Sequence, residues 1–94
     1  MIEAAQVRAA RALIGWSQAE LAVAAALPVL TVDRFETGGP KGLPAEAIEK
    51  MRVALESAGV TFIAQNGGGA GVRLRKGGEA KYLGWDDLNA SNDE

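Results

Sequence analysis

The chain contains neither histidine nor cysteine, so the imidazole and thiolate groups that commonly serve as base, nucleophile or metal ligand near neutral pH are both missing. The usual zinc sites, disulfide frameworks and every imidazole-dependent catalytic arrangement are thereby excluded. The chemistry left is that of carboxylates, guanidinium groups, ammonium groups and hydroxyls. Asp86 and Asp87 come nearest to a paired carboxylate, but they are sequence neighbours and nothing around them supplies a pocket. The run Gly67-Gly68-Gly69-Ala70-Gly71 has neither the G-x-G-x-x-G spacing nor a Gly-Lys-Ser/Thr ending, and a strand rather than a helix follows it, so nucleotide binding is not expected. Ser17 and Glu20 have the spacing of a capping box, in which a hydroxyl and a carboxylate satisfy free N–H groups at a helix start. No catalytic role, cofactor or metal is expected.

These side chains must be positioned by one small domain, since 94 residues cannot build two independent cores. Apolar residues make up 48% of the chain, but 18 of them are alanine, which predicts a thin, helical core. The net charge of −2 provides no global basic field, so nucleic-acid binding would need a local basic surface. The longest apolar stretch, Leu21 to Leu30, is short and Ala-rich, and the N-terminus lacks a basic region followed by an apolar run. A soluble, cytoplasmic protein without membrane association is expected.

Val7, Ala10, Leu13 and Ile14 form a helical stripe from Glu3 to Trp16, with Gln6, Arg8 and Arg11 on the other face and Gly15 as the stop. A second helix starts at the Ser17–Glu20 box and can run only about two turns before Pro28, which would break a helix interior. Pro28 is tolerated at the next helix start, and Val29 to Thr37 follows with Val32 and Phe35 facing inward. Pro44 opens a longer helix through Ser57, with Ile48, Met51 and Leu55 as its stripe and Gly59 as a left-handed cap. Val60 to Ala64 and Val72 to Arg75 read as two short strands.

Two short helices separated by a tight turn match a helix-turn-helix arrangement. The run Trp16-Ser17-Gln18-Ala19-Glu20-Leu21-Ala22, with Leu27, Val32, Arg34-Phe35-Glu36 and Gly38, resembles the lambda-repressor-like (Cro/C1, XRE-type) family of bacterial and phage regulators over about residues 3–58. The resemblance implies a mainly α fold: a compact four-to-five-helix DNA-binding domain over 1–59, followed at 60–94 by a short β-hairpin or dimerisation strands. It implies that Gln18 bonds a phosphate and braces the recognition helix. It places Val29, Leu30 and Arg34 at base edges in the major groove, with Pro28 and Thr31 near the DNA backbone. Arg34 has the strongest intrinsic code, two parallel donors toward guanine O6 and N7. Val29 and Leu30 fit thymine methyls and fit a protein-binding patch equally well. The resemblance also pairs Arg11 with Glu36 in a partly buried ion pair that locks the first helix against the third.

Three positions depart from the family pattern. Ala26 stands where Gly is usual, so a left-handed backbone there would be strained by about 1–2 kcal/mol. Pro28 replaces a Ser or Thr cap, and Asp33 puts a negative charge near the path of the phosphates. Residues 1–58 carry six basic and seven acidic groups, so this segment is not itself a basic module. Outside it, Arg73, Arg75, Lys76 and Lys81 form a basic cluster that either touches DNA backbone or is the solvated side of a half-buried strand.

The function implied is a sequence-specific transcriptional regulator, a repressor acting as a homodimer on a double-stranded operator. The alternative is a helix-turn-helix protein-interaction module, antitoxin-like or an anti-activator, with a protein partner in place of DNA. Phe62, Val72 and Leu74 are expected to form the dimerisation face by pairing strands across a two-fold axis, with Tyr82, Leu83 and Trp85 as a lid. An intramolecular hairpin on the chain's own helices is the other arrangement this segment allows.

Overall fold

The computed structural model describes residues 1–65 and 67–75; Lys76, Lys81, the Tyr82-Leu83-Trp85 lid and the acidic end lie outside them. The fold is mainly helical with one small antiparallel sheet. Its elements are α1 (Ala4–Ile14), α2 (Gln18–Ala25), α3 (Val29–Gly38), α4 (Ala45–Ser57), β1 (Val60–Ile63) and β2 (Gly71–Leu74). Among the described residues no helix is long and apolar enough to cross a membrane.

Local chemistry sets the helix limits. Ser17 Oγ accepts from the Glu20 N–H at 3.0 Å and Glu20 Oε1 accepts from the Ser17 N–H at 2.7 Å, so the expected capping box is formed. Two helices close alike. The Trp16 N–H reaches back to the Arg11 carbonyl at 3.0 Å with Gly15 left-handed, and the Leu27 N–H reaches the Ala22 carbonyl at 2.9 Å with Ala26 left-handed. The first turn uses the residue suited to it; the second does not, because the Cβ of Ala26 at φ 58° crowds the carbonyl that follows. Ala26→Gly should therefore stabilise the fold by about 0.5–1 kcal/mol, the relief of strain less the extra entropy glycine has when unfolded. Urea denaturation would check this, with an unchanged slope and a higher midpoint expected.

Leu21, Val32, Phe35, Met51, Leu55 and Val60 are completely or almost completely buried and define the core with Val7, Ala10 and Ile48. α2 packs against both α3 and α4, while α1 bridges α3 and the hairpin. Leu13 is a correction to the α1 stripe: it is 43% exposed. It lies about 100° round the helix from Ile14, so the face that turns Ile14 toward the core leaves Leu13 outside.

Gln6 is a second correction, because it is buried rather than solvated. Its Oε1 accepts from the Glu3 N–H at 2.7 Å, and its Nε2 donates to the carbonyls of Ile63 and Gly71 at 3.1 and 3.0 Å. One amide thus starts α1 and clamps the loop end of the hairpin.

β1 and β2 pair with each other, Phe62 opposite Val72 and Val60 opposite Leu74. Residues opposite in an antiparallel pair share a face, so these four form one apolar side. Phe62 and Val72 pack on the helical core of the same chain. Of the two arrangements open to this segment, the structure contains the intramolecular hairpin. Of the three residues assigned to strand pairing across a two-fold axis, Phe62 and Val72 therefore lie against the chain's own helical core: alternation identifies an apolar face without saying what covers it.

Candidate nucleic-acid interface

The Glu36 carboxylate, within α3, is the centre of the arrangement and is only 3% exposed. Arg11 of α1 binds it with two parallel bonds, Nε to Oε2 at 2.6 Å and Nη2 to Oε1 at 2.8 Å. The same guanidinium donates from Nη1 to the Trp16 carbonyl at 2.9 Å, holding the α1–α2 junction. Gln18 Nε2 donates to Glu36 Oε1 at 3.0 Å and to Asp33 Oδ1 at 3.3 Å, and Arg8 Nη1 donates to the Glu36 carbonyl. Burial alone would push the Glu36 carboxyl up, but the Arg11 and Gln18 hydrogen bonds and the Arg11 charge outweigh it and hold the group below the usual carboxylate range. Its hydrogen bond to Glu36 raises the Arg11 guanidinium in turn, against the lowering effect of burial. α1, α2 and α3 are thereby tied at one carboxylate.

The Arg11–Glu36 pair stands as the family resemblance implied. Gln18 braces α2 on α3, and its amide nitrogen is directed at two carboxylates. Arg8 is exposed on the outer face as expected, and its guanidinium also secures the last turn of α3. A hint of this lay in the spacing of Arg8 and Arg11, three apart and therefore neighbours on the helix surface. Gln6 gave a comparable hint at three residues after Glu3.

The side of α3 turned from this centre carries Leu30, Arg34 and Thr37, at spacings of four and three, with Asp33 on the flank toward Gln18. Pro28, Val29, Leu30 and Arg34 are exposed and Thr31 is half-buried. Pro28 caps α3 without a side-chain hydrogen bond, its carbonyl accepting from the Thr31 N–H at 3.0 Å. The Thr37 hydroxyl donates to the Asp33 carbonyl at 2.9 Å. Arg34 makes no hydrogen bond or ion pair among the described residues, although Asp33 precedes it and Glu36 follows two positions later. Arg73 projects from the outer face of the hairpin beside Thr61, whereas Arg75 donates to the Glu56 carbonyl at 2.9 Å at the end of α4. The two described arginines of the basic cluster thus differ in use: both are exposed, but Arg75 bonds the end of α4 and Arg73 makes no hydrogen bond or ion pair among the described residues.

Compared with known proteins, the chain matches no family model and no curated protein.

Proposed function

We propose that the chain is a sequence-specific DNA-binding transcriptional regulator of the lambda-repressor-like kind, in which α2, the Ala26–Pro28 turn and α3 form a helix-turn-helix and α3 enters the major groove. The observation that carries this reading is how the arginines of the helices are used. Arg8, Arg11 and Arg52 are each engaged with protein acceptors, while Arg34 keeps its donors free on the exposed side of α3. A guanidinium held in that way matches the paired acceptors O6 and N7 of guanine. The Glu36 centre supports the reading, because a reader must be held at a fixed pitch and α3 is tied to both preceding helices.

In this arrangement the first-turn N–H groups of α2 receive a phosphate, with Gln18 bracing the helix that offers them. Pro28 and Thr31 lie at the DNA backbone, and Val29 and Leu30 meet thymine methyls. The nearly balanced charge keeps the affinity of one copy low, so a homodimer spanning half-sites about 34–36 Å apart supplies the specificity. Among the described residues the outer edges of β1 and β2 have no further strand, which leaves them to a second copy.

The test is selection of bound duplexes from a random pool, followed by salt titration. One enriched motif is expected, with affinity falling by about 0.9 log units per log of salt for each phosphate engaged. Salt-insensitive binding without enrichment favours the second reading, a protein partner seated on Val29 and Leu30, which stand side by side at 48% and 56% exposure.

A further inference from the structure

We propose that Asp33 reads a cytosine, so that α3 recognises a cytosine and a guanine through adjacent residues of opposite charge; this rests on the DNA-binding reading above. Asp33 stands on the flank of the outer face of α3, half-buried, one residue before Arg34. One carboxylate oxygen is held by Gln18 Nε2 at 3.3 Å, and the same nitrogen is fixed on Glu36 at 3.0 Å. The orientation of the Asp33 carboxylate is therefore tied to the centre that sets the pitch of α3. Its second oxygen has no partner among the described residues.

A carboxylate near a duplex is repelled by every phosphate and can gain only from a base donor. The major groove offers two, adenine N6 and cytosine N4. Adenine sets its N7 acceptor beside N6, facing a second carboxylate lone pair, whereas the cytosine edge brings no acceptor of its own. Cytosine is the base this group accepts. The repulsion then has a use, since it weakens binding wherever the cytosine is missing.

Duplex selection with the full chain and two variants tests this. The wild type should enrich a motif containing a fixed cytosine. Asp33→Ala should lose the preference at that position alone, by about tenfold, and bind random duplex about two- to fivefold more tightly at low salt. Asp33→Asn should move the preference from cytosine to adenine, because an amide matches adenine N6 and N7. A purely structural carboxylate would not produce that switch. The same motif from wild type and Asp33→Ala, or a motif with no cytosine that depends on residue 33, overturns the assignment and leaves the DNA-binding reading standing. Enrichment of no motif by the wild type overturns both.

Discussion

Arg11→Ala should cost about 3–5 kcal/mol of folding stability, because it leaves the buried Glu36 carboxylate without its counter-charge. A small domain has about 5–15 kcal/mol in all, so the variant should be partly unfolded near neutral pH at modest urea. Replacing both partners with apolar residues, Arg11→Met with Glu36→Leu, should cost much less than the single change, since no buried charge is then left alone. The pH response separates this mechanism from simple loss of packing. In the wild type the folded Glu36 pKa is depressed, so its contribution is present above the unfolded value of about 4.3 and is lost as pH falls through the lower folded value. In Arg11→Ala burial is left as the leading influence and raises the carboxyl, so stability should increase as pH falls through the raised folded value toward the unfolded one. Urea midpoints of the two proteins from pH 7 to below pH 4 check this. A variant that loses stability on acidification as the wild type does would show that Gln18 and Arg8 alone keep Glu36 ionised.

Arg34→Ala should lower affinity for the selected operator by about 1–3 kcal/mol per half-site and relax the preference at the guanine it contacts. Binding to random duplex should weaken much less, because the phosphate contacts that dominate non-specific affinity lie elsewhere. The fold should not change, as Arg34 is exposed and makes no bond among the described residues. Circular dichroism together with binding to operator and scrambled duplexes settles it. Equal losses on both duplexes would make Arg34 a phosphate contact, and no loss on either would take α3 out of the groove.

The helix limits and caps were legible because the chemistry that sets them spans only a few residues. Ser17 and Glu20, Gly15, Pro28 and Gly59 act on their own turns. The Arg11–Glu36 pair was legible only through resemblance, as nothing local joins residues 25 positions apart. Gln6 was misplaced because an amide on a helix is ordinarily solvated, and only the approach of the hairpin supplies the carbonyls of Ile63 and Gly71 that let it be buried. The same limit applies to Phe62, Val72 and Leu74: period-two alternation shows that a face is apolar and is silent on what covers it.

The sequence by itself determined a mainly helical fold lacking thiol and imidazole side chains, where the helices start and break to within a residue or two, and which strand residues share a face. Those properties follow from composition and from interactions within a turn or two. Only the tertiary structure decided how the charges are used. It brought Arg8, Arg11 and Gln18 to Glu36, sent Arg75 to the end of α4, and left Arg34 and one oxygen of Asp33 without a partner among the described residues. Coulomb and hydrogen-bond partners are set by distance in space, so a one-dimensional chain cannot say which guanidinium is spent on the fold and which is free for a ligand.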